Sequence, residues 1–339
     1  MKRLLLIGDT SLPEALGSKL LRGAKTIQAE RTWDISVMYH SPAAKYSPSM
    51  CKLYGKIFYK FADKRSLEWW SFQKKLVKHI KEKKPDLAIV TGILPLEKNI
   101  FNTLRSEGGL IVNYLTDDPW NRIHRRQLFI ENLSSYNHVF STKKGLLERL
   151  KRIGTPSTSW LPFAYDPMLH HKVEPKLGAD VAFIGTGARE RLRWLKALEG
   201  LNHIDCQIYG NSWTGLRTPG WVKKPAVTGY QYCEAIQSSK IILGLVRAAN
   251  GDQSTDRSYE IGAIGGCGLY QDTKEHRDLL PTYPELGFFQ TPSQLREHVE
   301  KILENPELQM EMRRIGASTI RNTKNTYADR LRQILSWAG

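Results

Sequence analysis

Short uninterrupted apolar runs alternate along the first half of the chain with longer stretches in which apolar positions recur every three or four residues. The first run, residues 3–9 (RLLLIGD), is closed by Gly8 and Asp9. An apolar run of that length bounded by a turn is a strand buried on both faces, as in a parallel sheet. Further strand candidates are 32–38, 85–92, 110–116, 137–141 and 158–160, the last closed by Leu161-Pro162. Helical spacing between them predicts helices over 13–23, 66–83, 97–107, 121–133 and 143–153. Strands alternating with helices imply βαβ units in a doubly wound parallel sheet, whose ligands lie off the carboxyl ends of the strands. Asp9 ends the first strand and Asp117 follows the fourth, so both carboxylates belong to that rim.

The alternation restarts at Asp180. Strands are predicted over 180–184, 205–209, 240–246 and 268–272, and helices over 188–198, 233–239, 291–305 and 306–320. At 339 residues the chain exceeds the size at which one hydrophobic core stops growing, so two domains are expected. A run with Pro162, Pro167, His170, His171 and a polar stretch to Gly178 reads as an interdomain linker over 166–178. The division is therefore an N-terminal domain 1–165 and a C-terminal domain 179–325.

The stretch with the most chemistry is 250–272 (NGDQSTDRSYEIGAIGGCGLYQD). Ser254, Thr255 and Asp256 are helix-capping residues, and the helix they open ends at Gly265-Gly266. Such a helix start offers unpaired N–H groups and a positive dipole end to an anion, and Arg257 in the first turn adds a bidentate phosphate partner. Glu260, one turn further in, suits the hydroxyls of a ribose. The same pair also fits a plain solvated helix face. Gly185-Thr-Gly187 after a strand lets backbone approach a diphosphate, with Arg189 and Arg191 supplying charge. Trp213 follows the next strand, either near a nucleotide base or packed beneath the loop. Thr116-Asp117-Asp118-Pro119 reads either as a capped turn or as a carboxylate for an acceptor hydroxyl, with Asp117 the candidate for chemistry and Asp118 for capping.

Cys51, Cys206, Cys233 and Cys267 form no C-x-x-C pair, and no acid or cysteine stands at ligand spacing from His170 and His171, so no metal site is predicted. No apolar run reaches the ~20 residues of a bilayer span, and the basic N-terminal tip precedes only a strand-length run, so a cytoplasmic protein is expected, with peripheral contact to the inner face of the membrane as an option. The formal charge of +16 points to an anionic partner. Between 47 and 84 bases interleave with aromatics, including Tyr54, Lys56, Phe58, Tyr59, Lys60, Phe61, Trp69, Trp70, Lys74, Lys75, Lys78 and Lys81. That mixture suits a membrane surface carrying a glycolipid, or nucleic acid, or simply an amphipathic helix with Trp69, Phe72, Leu76 and Ile80 inward.

Arg257-Ser-Tyr-Glu260-Ile-Gly-Ala-Ile-Gly265-Gly resembles the R-x-[FY]-E-x-x-A-x-G-G signature of CgeB-like (spore-maturation type) glycosyltransferases, relatives of the glycogen-synthase-type retaining enzymes. The resemblance extends to Asp117-Asp118, to Leu161-Pro-Phe-Ala-Tyr-Asp166-Pro, to the Phe183–Gly185 loop with Arg191 as its arginine, to Tyr209-Gly-Asn-Ser-Trp213, and to Asn325-Thr-Tyr-Ala-Asp-Arg330, where Asn325 replaces a histidine. It covers the linker and nearly all of the second domain, and is weaker before Asp117. It implies a GT-B fold: α/β, two Rossmann-like doubly wound domains facing a cleft, with a C-terminal helix over 326–339 crossing back to the first domain. It further implies transfer of a sugar from a nucleotide diphosphate sugar, used as donor substrate with no separate cofactor and no metal. Glu260 would bind ribose, Arg257 and Arg191 the diphosphate, and Asp252 would take the place of the acid that contacts the donor sugar. If the reaction inverts, Asp9 or Asp117 would be the base; if it retains, as the relatives suggest, neither is needed. The alternatives are glycosylation of modified bases in nucleic acid and a non-catalytic GT-B structural protein.

Overall fold

In a computed structural model of the chain, residues 2–30, 35–40, 61, 63–65 and 68–339 are described, 35–40 as backbone only. Residues 31–34 and 41–60 lie outside the description, and with them Cys51, Tyr54, Lys56, Phe58, Tyr59 and Lys60 of the basic aromatic segment. Two compact units form, Met1–Pro162 with Tyr327–Gly339, and Phe163–Thr326.

The apolar runs of the first unit become strands β1 (Lys2–Ile7), β2 (Ile35–His40), β3 (Leu87–Thr91), β4 (Leu110–Leu115), β5 (His138–Ser141) and β6 (Thr158–Trp160). Helices α1 (Leu16–Ala29), α2 (Trp69–Lys83), α3 (Lys98–Ser106), α4 (Gln127–Glu131) and α5 (Leu147–Arg152) connect them. Among the described residues the sheet runs β2-β1-β3-β4-β5-β6, with every pairing parallel, and Leu4 opposes Leu87 on one side and Val37 on the other. Leu4 to Ile7 and all of β3 are buried, as uninterrupted apolar runs require. Helix α2 turns Trp69, Phe72, Leu76 and Ile80 inward and leaves Lys74, Lys75, Lys78 and Lys81 exposed. The helix expected over 121–133 shrinks to α4. Asp118 Oδ1 accepts from Trp120 N–H at 2.8 Å and Asn121 Oδ1 from Ile123 N–H at 3.0 Å, so side chains turn the backbone before a helix can start.

The second unit contains β7 (Val181–Ile184), α6 (Leu192–Leu195), β8 (Cys206–Tyr209), β9 (Trp221–Lys224), α7 (Gly229–Ser238), β10 (Ile241–Gly244), α8 (Asp256–Ile264), β11 (Gly268–Gln271), α9 (Lys274–Leu279), β12 (Phe288–Phe289), α10 (Pro292–Leu303) and α11 (Pro306–Arg321). The chain then returns to the first unit as α12 (Tyr327–Trp337), which packs on α1. There Arg330, from the N-T-Y-x-x-R stretch, donates to the Pro162 carbonyl at 3.0 Å, and Tyr114 donates to the same oxygen at 2.7 Å.

Among the described residues the second sheet is also wholly parallel, in the order β12-β11-β10-β7-β8-β9. Read from the other edge it is 3-2-1-4-5-6, and its direction of winding reverses between β7 and β10. Strand β9 carries no apolar run, only a buried Trp221 followed by exposed residues, and its pairing with β8 alone makes it a strand. The helix expected over 188–198 is instead a 3-10 turn (Arg189–Arg191), the single turn of α6, and a second 3-10 turn (Lys196–Leu198). Residues 166–178, expected as a linker, are packed into the second unit. Val173 N–H donates to Gln237 Oε1 at 3.1 Å, Lys176 N–H to Ser238 Oγ at 2.8 Å, and Lys176 Nζ lies 2.6 Å from Glu234. Cys206, Cys233 and Cys267 are buried and unbridged. No helix among the described residues is long and apolar enough to cross a membrane.

Candidate functional site

The loops after β7 and β10 flank the winding reversal of the second sheet, where an open α/β sheet parts its loops and leaves a crevice for a ligand. After β7 the chain enters the Gly185-Thr-Gly187 loop. A Cβ on Gly187 would stand 2.1 Å from the Ser212 carbonyl oxygen, so the loop closes against the β8 turn only because that position carries no side chain. Trp213, 3% exposed, lies under this loop and donates to the Gly185 carbonyl at 2.8 Å. Of the two roles open to Trp213, the packing role is the one observed.

Arg191 folds back under the loop, donating to the Thr186 carbonyl and stacking 5.0 Å from the Phe183 ring. It is 4% exposed, yet its Nε has no partner. Burial pulls its pKa down to about 10, and the neighbouring Arg257 and Arg247 act in the same direction, against Glu190 and Asp252. The guanidinium stays charged at neutral pH, and an anion between these arginines would relieve both penalties. Arg257, half-buried in the first turn of α8, likewise has a buried Nε with no partner. Arg247, at the end of the β10 loop, completes this group and was missed in the sequence. Its only signal was a basic residue after a predicted strand. Arg189 is exposed, on the outer side of the 3-10 turn.

The start of α8 is fixed from behind. Thr255, its N-cap, donates its N–H to Ser258 Oγ at 2.9 Å. Ser258 Oγ lies 2.7 Å from His276 Nε2, and His276 Nδ1 lies 2.7 Å from the Gln271 carbonyl. Because a carbonyl can only accept, Nδ1 carries the proton and Nε2 accepts from Ser258. Full burial holds the His276 pKa down to about 4, so the imidazole is neutral. Ser254 also faces inward, 3% exposed and donating to Glu275 Oε2 at 2.6 Å, so it holds the loop instead of presenting its hydroxyl to a ligand. The helix ends as predicted, on Gly265 at φ 93°, with Gly266 N–H on the Ile261 carbonyl at 2.8 Å.

Asp252 and Glu260 are the candidate acids, one in the loop after β10 and one on α8. Asp252, 8% exposed, accepts from Asn250 Nδ2 at 3.1 Å inside a loop tied to the β7 side by Ala249 N–H on Glu190 Oε2 at 2.9 Å. Glu260 is 5% exposed. Tyr232 donates to its Oε2 at 2.6 Å, and His170 Nε2 stands 3.3 Å from its Oε1. Burial, with the Glu260 charge beside it, raises the Tyr232 pKa far above the ordinary phenol value, so the hydroxyl remains a donor. His170, expected as a linker residue, is thus a buried partner of the candidate ribose acid.

In the first unit, Asp9 is exposed and caps its own turn, accepting from Ser11 N–H at 2.8 Å. Asp117, half-buried beyond β4, lies 3.6 Å from His124 Nε2. Among the described residues no group of three or more His, Cys, Asp and Glu side chains stands together as a metal-binding set.

Two Rossmann-like α/β units with parallel sheets in one chain make the GT-B fold, and this chain has it. Residues 189–336 match the family described as glycosyl transferase-like, and no curated protein matches the chain. In structure the chain is similar to a putative UDP-N-acetylglucosamine 2-epimerase from Listeria monocytogenes, with a TM-score of 0.59 at 13% identity over 99% of this chain and 95% of that one. It is similar to the DNA modifying enzyme beta-glucosyltransferase, solved in the presence and absence of uridine diphosphoglucose, with a TM-score of 0.60 at 12% identity over 99% of each chain. It is also similar to S. aureus TarM in complex with Fondaparinux, alpha-GlcNAc-glycerol and UDP, with a TM-score of 0.57 at 11% identity over 79% of this chain and 59% of that one. At these identities the likeness is one of fold.

Proposed function

We propose that the protein is a glycosyltransferase that takes a sugar from a nucleotide diphosphate sugar bound in the second unit, at the winding reversal between β7 and β10. The observation that carries this reading is the pair of buried, unpartnered guanidinium nitrogens, Arg191 Nε and Arg257 Nε, beside the start of α8. Such donors suit the diphosphate, whose negative charge grows as the glycosidic bond breaks, and fixed positive groups lower that barrier. Arg247 joins them, Glu260 takes the ribose hydroxyls, and Asp252 takes hydroxyls of the transferred sugar. The match over 189–336 to a glycosyl transferase-like family supports transfer over the epimerase chemistry of one fold neighbour. The residues shared with CgeB-like enzymes make that group the finer assignment.

Asp117 is the carboxylate we assign to the acceptor hydroxyl, with His124 beside it, and it would be the base if the reaction inverts. The acceptor is read as anionic, either a glycolipid at a membrane surface or nucleic acid, because α2 exposes Lys74, Lys75, Lys78 and Lys81 and the loop beyond Asp117 adds Arg122, Arg125 and Arg126. The arginines take the place of a metal in this reading, so turnover should survive a chelator.

The deciding experiment is a thermal-shift screen against nucleotide diphosphate sugars, followed by donor hydrolysis with and without EDTA. A raised Tm and released nucleotide are expected for at least one donor. If no nucleotide diphosphate raises Tm, the assignment fails. Changing the four α2 lysines to Gln should leave donor hydrolysis intact and abolish salt-sensitive binding either to anionic vesicles or to nucleic acid, whichever the wild type binds.

A further inference from the structure

We infer that the first unit docks on an anionic membrane surface through a band of exposed apolar and basic side chains, which sets Asp117 at the headgroup layer. The inference rests on the acceptor reading above for the role of Asp117, and it chooses the lipid surface over nucleic acid. Two segments distant in sequence build the band. Asp63 accepts from Gln127 N–H at 2.6 Å and from Leu128 N–H at 2.9 Å, and Lys64 Nζ donates to the Arg122 and Ile123 carbonyls at 3.1 and 2.6 Å. These bonds fix residues 63–65 against the loop that follows Asp117. Phe61, 82% exposed, and Ile123, 68% exposed, lie on either side of that junction. Arg65 carries the band onwards, its guanidinium 5.0 Å from the ring of Trp70, which is exposed as well. From Trp70, positions 74, 78 and 81 follow along one stripe of α2, and each is an exposed lysine. At the other end His124, next to Ile123, stands 3.6 Å from Asp117.

Charge alone suits any polyanion, and the apolar members decide which. Single exposed hydrophobic side chains are ordinary, but three tied to one place and set among cations make a patch that marks an interaction site. Nucleic acid offers phosphates to the lysines and bases to stack on Trp70. Ile123 has no π face and no donor, however, and would meet a base only by wedging a duplex open. The interfacial layer of a bilayer accommodates every group at once: aromatic and aliphatic side chains enter the acyl boundary while Lys and Arg stay among anionic headgroups. The cations are also crowded. Burial and the nearby Arg126 lower the Lys64 pKa, and anionic headgroups would offset that repulsion.

Sedimentation of the full chain with vesicles of phosphatidylcholine, alone and mixed with phosphatidylglycerol, tests this at low and high salt, with Tm recorded for each protein. Binding to single- and double-stranded DNA is measured in parallel. Wild type is expected to bind the mixed vesicles more tightly than the neutral ones and to keep weaker binding at high salt, where the charges are screened. Phe61→Ser combined with Ile123→Ser should weaken vesicle binding about tenfold at either salt, through lost apolar burial, with Tm unchanged because both side chains are exposed. Lys74→Gln, Lys78→Gln and Lys81→Gln together should instead remove the low-salt excess, about fivefold for each lysine, and keep the high-salt binding. If the double Ser variant binds vesicles as wild type does, nothing at the junction enters the bilayer and the inference is overturned. A wild type that binds DNA and ignores vesicles overturns it in favour of nucleic acid, and one that binds neither overturns it too. Vesicle binding needs no nucleotide, so a protein that docks on vesicles but gains no Tm from any nucleotide diphosphate sugar keeps this surface and loses the proposed donor site.

Discussion

The rims at the carboxyl ends of the two parallel sheets are built in opposite ways. In the first unit the candidate acids make contacts close in sequence: Asp9 accepts from Ser11 N–H, Asp118 from Trp120 N–H, and Asp117 stands by His124, while Lys64 and Asp63 tie the loop beyond them at Arg122, Ile123, Gln127 and Leu128. In the second unit the groups are buried and held from far away, Glu260 by Tyr232 and His170, and Ser258 by His276, while Arg191 and Arg257 keep donors with no protein partner. Local turns exist whatever a protein binds. Buried guanidinium nitrogens with open donors carry a desolvation cost that a bound anion would offset, which is why we propose the second rim for binding.

The sharpest way to break this contrast is to remove the cations. Arg191→Ala and Arg257→Ala are each expected to lower kcat on the order of 10²–10³-fold, as for loss of one fixed donor to developing charge, with a smaller rise in donor KM. Lys at either place should restore little, because the planar fork is lost. Full turnover in either Ala variant would make that arginine a structural residue.

Glu260→Ala comes next, with nucleotide affinity expected to fall by ~1.5–3 kcal/mol, about 10–150-fold, while circular dichroism reports an intact fold. An unchanged Kd would move the ribose contact elsewhere.

A third test reads the support behind α8. His276 is held neutral with its pKa down to about 4, below the ordinary value near 6.5. The unfolded chain therefore binds the proton first, and this contribution to stability is complete above about pH 6.5 and is lost as pH falls towards 4. From pH 7 to pH 5 the loss from this one group is about 2 kcal/mol, readable in the urea midpoint, and His276→Gln should flatten that dependence. A midpoint equally pH-dependent in the variant would assign the effect to other groups.

The smallest effect is expected on the other rim. Asp9→Asn should leave donor hydrolysis within about twofold, since Asn caps the same turn. A large loss there would show that the first rim also does chemistry through Asp9.

Much of this architecture is visible in local pattern. The alternation of apolar-rich stretches with helical spacing located the six strands of the first sheet and four of the six of the second, because strands buried on two faces are rich in apolar residues. The limits of α8 followed from its capping residues and Gly265, and the inward and outward faces of α2 from its 3.6-residue period. Arg257 was legible as chemistry from its place in the first turn of α8, whereas Glu260 and Arg191 were singled out by the resemblance to the CgeB-like motifs, their local pattern fitting a solvated helix face as well.

What the tertiary structure alone decided is what depends on contacts across long stretches of sequence. Strand β9 exists through pairing with β8 and not through composition. The placing of β7 beside β10 brings the loops that follow them together, and Arg247 to Arg191. Ser254 and Trp213 have suitable chemistry for a ligand, but packing turned both inward, onto Glu275 and Gly185. His170 sits in a polar, proline-bounded run that reads as a linker, and becomes a partner of Glu260 only when α7 and α8 close on it. A side chain's neighbours 20 to 90 residues away leave no trace in its local pattern, since burial and pairing are set by which elements the sheet order makes adjacent.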